Sequence, residues 1–185
     1  MGLDIAPDLL VPESAHFSLP MCFETSERLD LDALVEGRIA TIPMPWRFKD
    51  YDAVAGASMA ATLREFDTSR WVLLAALDEG TRVGGAIVAF DTPKMDLLEG
   101  RADMTTLLDI RVAPAARGGG VGRRLFAAVE DWSRSVGARL LTIETQDINV
   151  GACRFYHAMG CTVRTIRKNA YPGLDEHQII WERAL

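Results

Sequence analysis

The chain has 185 residues, 49% of them hydrophobic, and its 26 acidic against 20 basic side chains give a net charge of −6. That length and apolar share suit one soluble globular domain with a sizeable core. The acid excess and the lack of a long basic tract argue against a nucleic-acid partner, and no apolar run approaches the roughly 18 residues of a membrane span.

The opening "MGLDIAPDLLVPESAH" lacks the basic flank and apolar centre of a signal peptide. It also has Ala6 where a myristoylation motif wants Ser or Thr, so a cytoplasmic location is expected. Residues 1–15, rich in Pro and acid, read as a flexible tail. "HFSLPMCFE", His16 to Glu24, reads as an edge strand restricted by Pro20. "RLDLDALVEG" reads as a short helix or turn ending at Gly37, and "TIPMPWRFKDYD" carries too many prolines for regular structure. "AVAGASMAATLREF" is helix-like despite Gly56. "RWVLLAALDEGTRVGGAIVAF" places two apolar runs around Asp78-Glu79-Gly80, a β-hairpin signal, and "TTLLDIRVAP" is a third strand stopped by Pro114. From Val121, apolar residues recur at helical spacing through Leu125, Val129, Trp132 and Val136, with Gly137 as the stop. "RLLTIET" is a buried strand, and "NVGACRFYHAM" a short helix with Asn149 as N-cap and Gly160 just past its end. "CTVRTIRKN" and "HQIIWERAL" form a closing pair of strands. With no repeat or linker, the order predicts one mixed α/β domain over residues 1–185.

Cys22, Cys153 and Cys161 are odd in number and lack C-x-x-C spacing, which excludes a disulfide framework. Cys153, His157 and Cys161 would share a helical face only if the helix ran through Gly160, so they read as buried small residues and no metal is expected.

"ARGGGVGRRL", Ala116 to Leu125, sets four glycines in five positions at the start of a helix, a pattern that suits a phosphate. A P-loop needs a Gly-Lys pair, and none exists. A dinucleotide fingerprint from Gly120 has Leu125 in place of its third glycine, although Glu144 lies near the place of the ribose-binding acid. The third pattern is R-x-x-G-x-G, carried by Arg117, Gly120 and Gly122. The amides of Gly118, Gly119, Gly120, Val121, Gly122 and Arg123 can converge on one concavity, where the helix dipole adds positive charge. Arg117 and Arg123 could add charge at its rim. A tight strand-to-helix turn alone accounts for one or two of the glycines, not four within an arginine cluster.

At this motif the sequence resembles the GCN5-related N-acetyltransferase (GNAT) superfamily, in which R-x-x-G-x-G is the acetyl-CoA pyrophosphate loop. "ETQDINVGACRFYHAMGC" resembles the later motif of the same superfamily, with Asn149, Ala152, Tyr156 and Gly160 at matching intervals. Together they mark residues 105–161 as an acetyl-CoA-binding core. "DIRV", "ETQ", "AYPGLDE" and "FKDYD" resemble the streptothricin acetyltransferase branch in wording. The N-terminal third otherwise diverges and has no dense acidic run that would hold a polycationic antibiotic.

The resemblance implies a GNAT-like acyl-CoA N-acyltransferase fold, with a central, mostly antiparallel sheet splayed at the cofactor site and flanked by helices. It implies acetyl transfer from acetyl-CoA to a primary amine by direct attack. Ile110, Arg111 and Val112 would offer backbone groups to the pantetheine arm, with Asn149 and Ala152 also at the cofactor. Such a reaction needs a base for the ammonium, a donor for the thioester carbonyl and an acid for the thiolate. Tyr156 is the candidate acid, with packing beside Phe155 as its plainer role. Glu144 and Asp109 are the candidate bases beside a water chain, and a salt bridge to a nearby arginine is the plainer role of either. Strand alternation sets Asp109 and Arg111 on one face, opposite Leu108, Ile110 and Val112. Tyr171 with the segment "AYPGLDEH", and "PWRFKDY", are expected on the acceptor side; Trp46 and Tyr51 could pack against an acceptor, and core cover is their plainer role. Alternatives are a protein N-terminal or lysine acetyltransferase, a non-catalytic acyl-CoA sensor and, most remote, an NAD-binding protein. The acceptor is a small-molecule or peptide amine, and a homodimer is expected by analogy.

Overall fold

A computed structural model describes residues 2–53 and 58–185. In chain order its elements are β1 (Asp4–Asp8), β2 (Cys22–Leu29), α1 (Leu31–Val35), β3 (Thr41–Asp50), α2 (Met59–Glu65), β4 (Val72–Asp78) and β5 (Thr81–Phe90). There follow β6 (Met104–Val112), α3 (Val121–Ser135), β7 (Leu140–Gln146), α4 (Val150–Ala158), β8 (Thr162–Arg167) and β9 (Gln178–Ala184). Seven strands form one sheet in the order β1-β4-β5-β6-β7-β9-β8, and β2 and β3 form a separate ribbon. Within the large sheet β6 and β7 are the parallel neighbours; the other pairs run antiparallel.

Local chemistry explains the clearest elements. The β4–β5 turn places Glu79 at φ 48° and Gly80 at φ 80°, the positive values that a tight hairpin of this hand requires. On α3, Val121, Leu125, Phe126 and Val129 are buried on one stripe, and full burial of such side chains stabilises the fold by about 1.5–3 kcal/mol each. Asn149 caps α4 by accepting a hydrogen bond from the Ala152 amide at 3.2 Å.

The sheet separates two cores. Leu74, Val88, Leu107, Leu141, Ile143 and Trp181 pack on the α3/α4 side with Leu125, Phe126 and Val129. Leu63 of α2 joins Trp71, Leu73, Ile87, Met95, Leu98 and Met104 on the other side.

Several expectations need correction. Residues 4–8 are not a loose tail: β1 pairs with β4 from Asp4↔Leu77 to Asp8↔Leu73, and Pro7 is tolerated because β1 is the sheet edge. "TIPMPWRFKDYD" is mostly strand β3, which keeps Pro43 and Pro45 because it pairs only with β2. The strand expected from His16 begins only at Cys22, since Ala15–Ser18 forms a 3-10 turn capped by the Ser14 hydroxyl. The helix expected over residues 53–66 is ordinary α-helix from Met59 to Glu65; residues 54–57, with Gly56, lie outside the described residues. Leu108 does not oppose Asp109, because a β-bulge shifts the register between Ile87↔Asp109 and Val88↔Leu107. Leu107 therefore joins the α3-side core and Leu108 the other.

Candidate active site

The parallel pairing of β6 and β7 runs from Met104↔Leu140 to Leu107↔Ile143 and stops there. Beyond it, β6 stays with β5 as far as Gly84↔Val112, and β7 stays with β9 as far as Gln146↔Gln178. The two strands therefore diverge, starting at the bulge in β6, and leave a wedge between Leu108–Val112 and Glu144–Gln146. The Ala113 amide donates to the Val83 carbonyl at 2.8 Å, on the β5 side. By alternation, the main-chain groups of Ile110 and Val112 face the wedge as an unpaired strand edge.

At the open end of β6 the chain makes a 3-10 turn over Pro114–Ala116 and enters the glycine turn. Gly118 and Gly120 hold φ 79° and 84°, values that strain any side chain, and both are exposed. Among the described residues the amides of Gly118, Gly119 and Gly120 have no partner, and those of Val121, Gly122 and Arg123 are the orphan donors of α3's first turn. A Cβ at Gly122 would lie 3.5 Å from the Phe155 ring, so this glycine also sets how closely α3 meets α4. Arg117 donates through Nε to the Val112 carbonyl at 3.2 Å, folding back over the strand edge, while Arg123 is exposed. The turn fits a pyrophosphate: six main-chain donors without partners among the described residues stand at a helix N-terminus, and nothing lies within 4 Å of a Cβ at Gly118 or Gly120.

Tyr156 packs from α4 against Phe126 and Phe155, with ring centroids 6.1 and 5.3 Å away. Only 4% of the residue is exposed, and among the described residues its hydroxyl makes no side-chain hydrogen bond. Burial first, then the neighbouring Cys161 and Asp109, drive its pKa upward, so the phenol keeps its proton at neutral pH. Asn149 caps α4 and also approaches the Tyr51 hydroxyl through Nδ2 at 3.4 Å, while that hydroxyl bonds Gln146 Oε1.

The two candidate bases have opposite surroundings. Asp109 is fully buried, bonded to His16 Nε2 at 3.0 Å and to Arg111 through both carboxylate oxygens. Arg111 continues to Asp52, with contacts of 2.7 and 2.9 Å, and to the Leu19 carbonyl. Burial would raise the Asp109 pKa, but the His16 and Arg111 hydrogen bonds outweigh it and hold the carboxyl below the usual range. Glu144 is half-buried at the wedge and accepts a 2.7 Å hydrogen bond from the Tyr171 hydroxyl. Among the described residues no cation pairs with it. Tyr171 is itself driven upward in pKa, by burial and then by the Glu144 charge, and stays a donor.

The structure thus brings Glu144 and the edge of Ile110 and Val112 to one wedge, with Asn149 at the start of α4, Tyr156 packed on the α3/α4 side of the sheet, and Arg117 and the glycine turn at the wedge's end. The side chains of Asp109 and Arg111 lie instead in the buried network on the face opposite α3. Cys153 and Cys161 are buried, and burial pushes both thiols up to about 12. Among the described residues no three His, Cys, Asp or Glu side chains group as metal ligands, and no helix is long and apolar enough to cross a membrane. Sequence reasoning missed His16 and Gln146; it included Glu176 only within the "AYPGLDEH" segment expected on the acceptor side, and read Tyr51 as an acceptor contact or as core cover. Alternation along "ETQ" already sets Glu144 and Gln146 on one face, so Gln146 had a signal. His16 had none, since its partner Asp109 is 93 residues away.

The model of the GNAT acetyltransferase family matches residues 31–161, most of the chain, including both walls of the wedge, the glycine turn and α4. The chain belongs to the GNAT family. Its sequence is 37% identical over 76 residues to streptothricin acetyltransferase A of Bacillus subtilis, a segment covering 40% of this chain and 44% of that protein. It is 33% identical over 76 residues to the ribosomal protein bS18-alanine N-acetyltransferase of Salmonella typhimurium, covering 41% and 51% respectively. The alignments thus span about half the length of these curated relatives. Two solved structures align over the whole GNAT chain: a nourseothricin acetyltransferase, with TM-score 0.72 and 22% identity, and a Bacillus anthracis protein assigned as a streptothricin acetyltransferase in complex with acetyl coenzyme A, with TM-score 0.74 and 23% identity. Each alignment covers 100% of this chain and 99% of the other. At such identities the likeness is one of fold.

Proposed function

We propose that this GNAT protein moves acetyl from acetyl coenzyme A to a primary amine of a small molecule, both substrates being bound together. The observation that carries the reading is the wedge itself: a strand edge that no other strand pairs, a turn with free amides at one end, and Glu144 beside the gap. In this reading the amides of Gly118–Arg123 hold the pyrophosphate, with Arg117 and Arg123 at the rim. Ile110 and Val112 would offer main chain to the pantetheine arm and a donor to the thioester carbonyl, the Arg111 main chain expected there being turned to β5, and Asn149 and Ala152 would border the arm. Acetyl coenzyme A supplies the activated acetyl group.

Glu144 takes the proton of the acceptor ammonium on a carboxylate oxygen, with Tyr171 holding that carboxylate in place. Tyr156 carries its proton at the place where the leaving sulfur needs one, since its hydroxyl is protonated and makes no side-chain hydrogen bond among the described residues. Asp109 is assigned a structural role, because two cationic or hydrogen-bonding partners already consume its oxygens. The relatives named for alanine N-acetylation favour one second reading, a peptide amino terminus as acceptor.

An acceptor screen following free-thiol release tests both readings, with streptothricin, polyamines, aminoglycosides, amino acids and peptides. Release with a small amine, lost in a Glu144→Gln, Tyr156→Phe double variant that still binds acetyl coenzyme A, is the expected result. Tight binding with no transfer to any amine or peptide would identify a sensor instead.

A further inference from the structure

The face of β3 that carries Tyr51 carries also Arg47 and Lys49, because alternate residues of a strand share a side. Phe23 lies opposite Lys49 in the ribbon and its ring meets Tyr51 at 5.9 Å, which sets this face toward the wedge. Trp46, Phe48 and Asp50 point the other way. Lys49 reaches both oxygens of Glu176, at 3.1 and 2.9 Å, and Arg47 approaches the same carboxylate at 3.6 Å. Glu176 is 2% exposed and lies near enough to Tyr51 and Tyr171 for its charge to act on both hydroxyls. Lys49 Nζ lies 5.7 Å over the Tyr51 ring, and the Tyr51 hydroxyl bonds Gln146, which shares its strand face with Glu144; this chain of contacts links the Arg47, Lys49 and Glu176 cluster to Glu144.

Most carboxylates around this cluster are already committed to cations. Asp147 and Asp175 are taken by Arg28, Asp52 and Asp109 by Arg111, and Glu176 by two cations at once. Among these carboxylates Glu144 is left without a cation, and it is the proposed base. At Glu176 alone cations outnumber the anion: Arg47 shares a carboxylate already satisfied by Lys49, and among the described residues it makes no hydrogen bond. Its guanidinium is about one-third exposed and keeps the planar donor fork that binds a carboxylate or phosphate side-on.

We propose that the acceptor is a zwitterionic amine, which sets its amino group at Glu144 and an anionic group, a carboxylate or phosphate, on Arg47. The inference rests on the acetyl-transfer reading and narrows it. One carboxylate receives one ammonium, and the free guanidinium receives the opposite charge; a chain of ammonium groups would meet Arg47 and Lys49 with like charge.

The test compares matched acceptors, such as β-alanine, β-alaninamide and aminoethyl phosphate, with streptothricin as the polycation, by thiol release and by calorimetric binding in the presence of coenzyme A. The expected preference for the anionic acceptors over the carboxamide is about tenfold or more in kcat/KM and in affinity. Arg47→Gln is expected to erase that ratio and Arg47→Glu to reverse it, while KM for acetyl coenzyme A stays as in the parent protein. Equal use of acid and amide, a ratio unaffected by Arg47→Gln, or streptothricin as the best acceptor would overturn the proposal. If no acceptor releases thiol, the acetyl-transfer reading fails by itself. The calorimetric arm then decides the anion site: selective binding that depends on Arg47 upholds it, and equal binding of acid and amide rejects it.

Discussion

On the proposed reading, the donor and acceptor halves of the wedge are made from different material. Toward the glycine turn the site is main chain: an unpaired edge at Ile110 and Val112, then six amides around Gly118 and Gly120. Toward the acceptor it is side chains brought from distant places, with Tyr171 bonding Glu144, Tyr51 bonding Gln146, and Lys49 reaching Glu176 across 127 residues. A main-chain site depends on local conformation and tolerates varied side chains around it. A side-chain site changes its specificity whenever one of its scattered contributors changes. Within one fold, the donor half can stay constant while the acceptor half is rebuilt.

That contrast can be broken or sharpened by substitution. The largest effect is expected from Glu144→Gln, a fall in kcat of about 10²–10⁴ with acetyl-CoA affinity by calorimetry little altered. A matching loss of acetyl-CoA affinity would show that the halves are not separable.

Next comes the network beneath both halves. Asp109→Asn leaves His16 and Arg111 without their shared anion, and urea unfolding is expected to show a loss of about 3 kcal/mol. The pH dependence has a definite sign. The folded pKa of Asp109 lies below its unfolded value, so its contribution is complete above the ordinary carboxylate range, near pH 4. It declines as pH falls through that range toward the folded value. The parent protein is therefore expected to lose stability more steeply on acidification below about pH 4 than Asp109→Asn does. Parallel acid limbs in the two proteins would contradict the assignment.

In the donor half, Gly120→Ala forces a side chain into a left-handed backbone at a cost of about 1–2 kcal/mol, roughly a tenfold rise in acetyl-CoA KM. The acceptor KM is expected to stay within twofold, about the scatter of such comparisons. The smallest effect is expected from Tyr171→Phe, which removes one hydrogen bond from Glu144. A fall in kcat of about fivefold is expected, with no change in acetyl-CoA KM. A larger change in acetyl-CoA KM than in kcat would move Tyr171 to the donor half.

Much of this molecule was written locally. The β4–β5 turn at Glu79-Gly80, the apolar stripe of α3, the Asn149 cap and the glycine turn follow from short-range sterics and hydrogen bonding, which neighbouring residues control. The Pro-bearing strands β1 and β3 were less legible, because a proline is acceptable only where a strand has a free edge, and neighbours in space decide that. The same division runs through the site. Alternation along "LLDIRV" put Asp109 and Arg111 on one face, but it could not foresee the bulge that moves Leu108, nor His16 closing over Asp109. Glu144 and Asp109 were both sequence candidates, Glu144 the first choice and Asp109 its rival, each a carboxylate on a strand near the glycine turn. Tertiary structure separated them, giving Asp109 two partners in a buried network and Glu144 one phenol beside the wedge. What a carboxylate can do depends on which charges surround it. For this chain those charges come from segments that only the folded sheet brings together.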